Sequence, residues 1–261
     1  MKFIYFFCFW IISTSMTLHG SSIEEVDVEE AAFIWESGLI ERALPEDLDQ
    51  YILPANHPAR SKLDKLFAKS GVLASHKSMR KKGFRKMFKC KAGMVVAKHP
   101  KLKGYLIKTH LDNYTGEELY PFLRRAKGAR LVRNSIQAHG YNHLLKVPRK
   151  WLYPLPAGAS PKIKYLLLVE DMQTFGWTIN LDCFKTHITA EMLQALYVII
   201  KENVLIDSVY PDNIPFSSDG CLNFVDIEHF LCTTQPVHYH RLTPHLAPEM
   251  QKVWKKIIKT N

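Results

Sequence analysis

An amide and a carboxylate in the last quarter of the chain could together bind a metal ion. Asn213 and Asp226 lie thirteen positions apart, and a Ser-Ser-Asp-Gly stretch at 217–220 separates two short apolar runs between them. This pattern predicts a β-hairpin, because residues that favour turns are flanked by residues that favour strands. The amide and the carboxylate would lie at the two ends of that hairpin, where both side chains can bind a Mg²⁺ ion that carries phosphate groups.

Several predicted elements precede the hairpin and would position it. Short apolar runs bounded by turn residues predict strands at 87–90, 94–97, 105–108, 147–155 and 164–169. The last of these runs is apolar enough for a central strand, and the first three would form an antiparallel meander. A helix is predicted over 116–143, with a break at Gly128 and an end at Gly140. Thr189 is a typical N-cap residue and predicts another helix, and an amphipathic helix is predicted over 248–258.

The charge of the chain is positive and uneven. Its 261 residues carry a formal net charge of +10, suffice for one compact domain or two small lobes, and contain enough apolar side chains for a buried core. Residues 24–49 are acidic, whereas residues 77–108 are rich in Lys and Arg. The acidic segment could lie on a basic lobe, or the basic ridge at 77–103 could bind an anionic partner such as nucleic acid or lipid. A solvated charged surface explains the same pattern, and the sequence has no specific nucleic-acid motif.

The first residues have the pattern of a secretory signal. Lys2 is followed by an apolar and aromatic run at 3–16 and then by small residues, which predicts a signal peptide at 1–20 and export of the mature chain. A membrane anchor over 3–18 is the alternative, although the run is short for a spanning helix. Of the five cysteines, Cys8 lies in this segment, and the other four have no spacing typical of a disulfide framework or a zinc site.

The order of the predicted elements and two motifs together resemble the protein-kinase-like superfamily. The motifs are Pro211-Asp212-Asn213-Ile214 and Phe224-Val225-Asp226-Ile227-Glu228. They are closer to the aminoglycoside phosphotransferase and choline kinase branch than to the protein kinases, and the resemblance covers roughly residues 84–230. It implies an α+β, bilobal fold with a five-stranded antiparallel N-lobe and a truncated helical C-lobe. The implied organisation is a signal peptide at 1–20, an acidic helical extension at 21–75, an N-lobe at 76–171 and a shortened C-lobe at 172–261.

The resemblance also assigns roles to individual residues. Lys108, which closes a predicted strand, would neutralise the phosphates of ATP. Asn213 and Asp226 would hold Mg²⁺ and, through it, the nucleotide. The segment that would bind adenine through its backbone comprises Glu170, Asp171 and Met172. The implied cofactors are therefore ATP and Mg²⁺, and the implied partner is an unknown protein or small molecule that accepts phosphate.

Four departures from the family pattern bear on catalysis. Ser208 stands where the family has the catalytic Asp, and a serine cannot act as a general base without a base of its own. Asp207 or Asp212 could act as the general base in its place. Gly93 is the only glycine between the first two strands, so the glycine-rich loop that would cover the phosphates is missing. The helical residues 129–138 contain no acid that could pair with the phosphate-binding lysine. The tail that follows the hairpin is short for a complete helical lobe.

Two functions therefore remain open on the sequence. In the first, an exported kinase-like protein binds ATP and Mg²⁺ and transfers phosphate to an unknown acceptor, with Asp207 and Asp226 as catalytic residues. In the second, the chain is a catalytically inactive pseudokinase that acts as a protein-interaction module. Loss of an oriented general base lowers a rate by about 10²–10⁴, so a weak or inactive kinase is the expectation.

Overall fold

The strands and helices of the protein define a mixed α+β fold in a computed structural model that describes residues 48–89, 93–206, 208–231 and 236–260. The strands are β1 Arg85–Lys89, β2 Val95–Lys98, β3 Tyr105–Thr109, β4 Leu145–Lys146, β5 Lys150–Pro154, β6 Tyr165–Glu170 and β7 Leu222–Asn223. The α-helices are α1 Arg60–Phe67, α2 His76–Lys81, α3 Leu119–Ala138, α4 Trp177–Thr186, α5 Ala190–Asn203 and α6 Pro248–Thr260. The predicted α+β class is confirmed, and all described residues belong to one compact unit.

Five of the strands form one antiparallel sheet in the order β1-β2-β3-β6-β5. Strand β3 is central, so Lys108 pairs with Val96 of β2 on one side and with Leu167 of β6 on the other. Strand β6 is buried from Leu166 to Val169, because hydrophobic clusters cover both faces of the sheet. The apolar run predicted as a central strand is thus an interior strand.

Helix α1 and the residues before it pack against one face of this sheet. Leu53 and Phe67 share a hydrophobic core with Ile107 of β3 and Tyr153 of β5. The Tyr153 hydroxyl donates a hydrogen bond to Asp64 Oδ1 at 2.7 Å. The part of the predicted acidic extension from residue 48 onward therefore shares a core with the sheet, and its earlier part lies outside the described residues.

The helices after the sheet surround the hairpin. Helix α5 begins after Thr189, whose hydroxyl accepts a hydrogen bond from the Met192 N–H at 3.2 Å, as predicted for an N-cap. Helix α6 spans the predicted amphipathic helix and buries Trp254 completely. Strand β7, in the second arm of the hairpin, pairs in parallel with β4. This pairing anchors the hairpin beside the connection from α3 to β5.

Helix α3 runs without interruption through Gly128, so the predicted break at this residue is wrong. A β-carbon at position 128 would lie 2.7 Å from Cγ2 of Ile227, 2.8 Å from its carbonyl oxygen and 2.9 Å from Cδ1 of Phe230. The helix therefore approaches the segment after the hairpin too closely to leave room for a side chain. Glycine serves this close approach here, although it is a poor helix former. The predicted end of the helix is confirmed, since α3 stops at Ala138.

Replacing Gly128 by alanine is expected to destabilise the protein by up to about 2 kcal/mol. Alanine favours the helix by about 1 kcal/mol, but overpacking typically costs about 1–3 kcal/mol, and one of the contacted atoms is a backbone oxygen that cannot rotate away. Urea denaturation measures the net effect. Asn134→Ala on the exposed face of the same helix is the control, and it should stabilise slightly. Equal gains in both variants would contradict the close approach.

Among the described residues, no helix has the length and apolar content needed to cross a membrane. The predicted signal peptide at 1–20, like the alternative anchor at 3–18, lies outside the described residues. Export therefore stays a prediction from the sequence pattern.

Candidate functional site

The hairpin holds Asn213 beside the residue that precedes Asp226. The Val225 N–H donates a hydrogen bond to the Asn213 carbonyl at 3.0 Å. The turn between the two arms is closed by a hydrogen bond from the Ser217 N–H to the Cys221 carbonyl, also at 3.0 Å. The predicted hairpin is present, and its open end brings the backbones of the two candidate metal-binding residues together.

A buried amide that the sequence analysis missed fixes the first arm of the hairpin. Asn180 of α4 is 1% exposed. Its Nδ2 donates to the Pro211 carbonyl at 2.7 Å, and its Oδ1 accepts from the Phe216 N–H at 2.9 Å. The sequence carries a weak signal for this role, because asparagine is unfavourable inside a helix unless its side chain has a specific partner. Asn180 therefore positions the segment that contains Asn213.

Asp226 lies in a cluster of cations. Lys108 Nζ lies 3.3 Å from Asp226 Oδ1, and Arg125 Nε lies 2.7 Å from the same oxygen. The second branch of the Arg125 guanidinium contacts Glu228 Oε2 at 2.5 Å. The Lys108 and Arg125 side chains are each 11% exposed, whereas that of Asp226 is 31% exposed. Arg125 thus bridges two acids, an arrangement called the Arg125 bridge below.

A second buried lysine, also missed from the sequence, lies behind this cluster. Lys150 is buried at the start of β5, and its Nζ donates to the Val225 carbonyl at 3.1 Å. Burial holds the pKa of Lys150 well below its usual range, the charge of Lys108 lowers it further, and the charge of Asp226 opposes the change. By donating to Val225, Lys150 fixes the backbone immediately before Asp226.

The pKa of Asp226 reflects these neighbours. Burial alone would raise the pKa of its carboxyl group, but the charges of Lys108, Arg125 and Lys150 and the hydrogen bond from Arg125 together outweigh that effect. The pKa is therefore held well below the ordinary value of about 3.9. Asp226 is ionised at neutral pH, and its charge is balanced by side chains of the same protein.

Helix α3 contacts the segment after the hairpin along one face. Arg124 Nε donates to the Glu228 carbonyl at 3.1 Å, Arg125 contacts both acids, and Gly128 lies against Ile227. The sequence analysis sought a partner for Lys108 among the helical residues 129–138 and found no acid there. The residue that reaches this site is instead the cation Arg125, one turn earlier in the helix.

The predicted adenine-binding segment lies at the end of β6, where Glu170 pairs with Tyr105 of β3. The Glu170 carboxylate accepts a hydrogen bond from the Arg149 N–H at 2.8 Å. The Asp171 N–H donates to the Gly104 carbonyl at 2.9 Å, and its carboxylate forms an ion pair with Lys98. Met172 is partly buried. The structure thus brings Lys108 to Asp226, and it gives the side chains of Glu170 and Asp171 other partners.

The candidate catalytic bases differ in position. Asp207 lies outside the described residues, so its role stays a prediction. Ser208, in the place of the expected Asp, is 1% exposed. Asp212 is exposed, and its negative charge raises the pKa of His245 against the larger, opposing effect of burial.

The described residues contain no group of three or more His, Cys, Asp or Glu side chains that could hold a metal. Of the two candidate ligands, Asp226 already accepts hydrogen bonds from Lys108 and Arg125 on Oδ1. A Mg²⁺ ion needs near-octahedral oxygen ligands at about 2.0–2.1 Å, and the Arg125 guanidinium lies against the carboxylate that would supply one of them.

No protein-family model matches the chain, and no curated protein matches it. The assignment of function therefore depends on the residues of the site and their contacts.

Proposed function

We propose that this chain is an exported, bilobal, kinase-like protein that has lost phosphoryl transfer and acts as a binding module, a pseudokinase. The observation that carries the proposal is the Arg125 bridge, which joins Asp226 and Glu228 to a cation of the same chain. Export rests on the signal-like pattern of residues 1–20.

The arrangement of the sheet and the site supports the kinase-like part of the proposal. A five-stranded antiparallel sheet has a helix, α3, inserted between β3 and β5, and the hairpin follows two further helices. The ammonium of Lys108 on β3 lies 3.3 Å from the carboxylate of Asp226, although 118 positions separate them in the sequence. This convergence is what the resemblance implies for a phosphate-binding lysine and a metal-binding acid.

The charge on helix α3 supports the inactive part of the proposal. The resemblance implies an acid on this helix that pairs with the lysine, and the helix supplies Arg125 in its place. Arginine stays protonated in proteins, so it does not release Asp226 by losing its own charge. Because Lys108 and Arg125 both contact Oδ1, the carboxylate is neutralised before any ligand arrives.

Loss of the expected base points in the same direction. Ser208 replaces the Asp that would accept the proton of the acceptor hydroxyl, and the serine is buried. In phosphoryl transfer nearly all of the catalysis comes from positioning and from stabilisation of charge by metal ions and cations. A site that has serine in place of the expected base and neutralises the metal-binding acid would have lost two contributions to catalysis.

The second candidate function is an ATP- and Mg²⁺-dependent phosphotransferase that acts on an unknown acceptor. The short distance between Lys108 and Asp226 favours it, because these side chains would have to converge in an active enzyme too. In that case a base other than Ser208, with Asp207 or Asp212 as candidates, would have to take the proton.

A paired binding and turnover experiment separates the two functions. The wild type is expected to hydrolyse no more ATP than Asp226→Asn, and free Mg²⁺ is expected to leave its melting temperature unchanged. Arg125→Met removes the bridge while keeping an apolar stem, and it should gain stabilisation of about 1.4 kcal/mol when Mg²⁺ is present at ten times its Kd.

Two further results complete this test. The double variant Arg125→Met, Asp226→Asn should lose the gain from Mg²⁺, because it lacks the ligand. ATP turnover by the wild type that disappears in Asp226→Asn would refute the inactive pseudokinase and establish the phosphotransferase.

A further inference from the structure

A cavity of about 390 Å³, lined by lysines, lies on the surface between helix α1 and the connection from β2 to β3. Its lining residues are Lys62, Lys65, Leu66, Pro100, Lys101 and Lys103. The four lysines are exposed, and Leu66 is buried. The cavity therefore has ammonium groups around an apolar patch, and it lies apart from the residues of the Asp226 cluster.

Two rigid elements present these lysines. Lys62 and Lys65 are three positions apart on α1, a spacing that places two side chains on the same face of a helix. The β2–β3 connection is held by buried His99, which accepts the Lys101 N–H on Nδ1 at 3.1 Å. His99 Nε2 lies 2.9 Å from the Lys82 carbonyl. Leu102, between the other two lysines, is buried, so its neighbours on the chain point toward solvent.

The positive charge of the cavity is not balanced by acids in the described part of the chain. No acidic residue lines the cavity, and none of its four lysines forms an ion pair with a described residue. Asp64, the nearest acid along α1, accepts a hydrogen bond from Tyr153 at 2.7 Å and pairs with Arg60 at 3.4 Å. Four like charges around one concavity repel each other, and an anion in the cavity would relieve that repulsion.

We infer that this cavity binds a small, multiply phosphorylated anion. An ammonium group is a compact charge with three donors and binds phosphate oxygens well. The volume lies within the range of about 300–1,000 Å³ that is usual for small-molecule sites, and Leu66 and Pro100 can contact the carbon skeleton between the phosphates. The same chemistry is offered by a soluble polyphosphate and by the headgroup of a phosphorylated lipid. This inference does not rest on the proposed pseudokinase function.

The test begins with a calorimetric titration, in which inorganic tripolyphosphate is added to the full chain at about 0.15 M salt. The double variant Lys65→Gln, Lys103→Gln removes one lysine from each side of the cavity and is expected to weaken binding about tenfold or more. The matched control, Lys77→Gln, Lys81→Gln, removes the same charge from exposed positions of the basic ridge outside the cavity. It should weaken binding less than about threefold, and both variants should melt at the wild-type temperature.

A second arm identifies the source of the phosphates. Flotation compares vesicles of phosphatidylcholine with vesicles that also contain a phosphatidylinositol bisphosphate. If the wild type binds the vesicles that contain a phosphatidylinositol bisphosphate and the Lys65, Lys103 variant does not, the site binds a lipid headgroup. If the wild type binds only tripolyphosphate, the site binds a soluble anion. Absence of binding to both probes, or equal losses in the two double variants, would overturn the inference. The inference would also be overturned if the protein bound duplex nucleic acid more tightly than tripolyphosphate and both double variants weakened that binding equally. Such a result would indicate diffuse attraction along the basic ridge.

Discussion

Asp226→Ala is expected to destabilise the protein by about 3 kcal/mol in urea denaturation at neutral pH. Removing one partner of a buried ion pair typically costs about 3–5 kcal/mol, because the remaining charge is left uncompensated. Here Arg125 and Lys108 would both lose a partner, and the exposed third of the Asp226 side chain places the effect at the lower end of that range. Asp212→Ala, which removes an exposed acid near the same hairpin, is the control and should change stability by less than about 0.5 kcal/mol.

The same carboxylate gives this prediction a pH dependence. The pKa of Asp226 is lower in the folded protein than in the unfolded chain. The carboxylate therefore makes its full contribution to folding stability above about pH 4. That contribution is lost as the pH falls from there toward the folded pKa. Between pH 4 and 2 the wild type should therefore lose up to about 1.4 kcal/mol per pH unit more than Asp226→Asn. If the stabilities of the two proteins fell in parallel as the pH was lowered from about 4 to 2, the cation cluster would contribute nothing to folding.

Asn180→Leu is expected to destabilise the protein by about 2–6 kcal/mol. The substitution keeps a side chain of similar size but leaves two buried backbone groups, the Pro211 carbonyl and the Phe216 N–H, without a hydrogen bond from this residue. Each buried polar group left unsatisfied costs about 1–3 kcal/mol. Chemical denaturation followed by circular dichroism measures the loss.

Two companion variants make the Asn180 prediction specific. Asn180→Asp keeps an oxygen that can accept from Phe216 but sets a second carboxylate oxygen against the Pro211 carbonyl, so it should be destabilised at neutral pH and recover part of the stability when the carboxyl group is protonated at lower pH. Thr178→Ala, two positions earlier and exposed, should change stability by less than about 0.5 kcal/mol. A loss in Asn180→Leu no larger than that of Thr178→Ala would show that the amide does not hold the hairpin.

The sequence predicted those elements whose signals are local. The apolar runs of β3 and β6 are bounded by turn residues, and Thr189 caps α5 through its own hydroxyl, so each can be read within a window of a few residues. The turn at 217–220 predicted the hairpin for the same reason. These signals depend on backbone preferences and on short-range hydrogen bonds, which do not need knowledge of the rest of the fold.

The parts of the site that were missed depend on contacts between distant segments. Arg125 meets Asp226 across 101 positions, and nothing near either residue in the sequence indicates the other. Gly128 was interpreted as a helix break because glycine has low helix propensity, whereas its true partner is the backbone at Ile227. Lys150 lies within the predicted strand at 147–155, and only the contact of β5 with the hairpin shows that its ammonium is buried beside Val225.

The close approach at Gly128 restricts how the site could change state. The contact of the helix with the carbonyl oxygen of Ile227 is between backbones, so α3 cannot roll toward that segment, and sliding along it would bring bulkier neighbours against the same oxygen. Release of Asp226 would therefore have to come from rotation of the Arg125 side chain while the helix stays in place. Any rearrangement of this region should accordingly leave amide hydrogen exchange along α3 unaltered and be visible in the guanidinium resonances of Arg125.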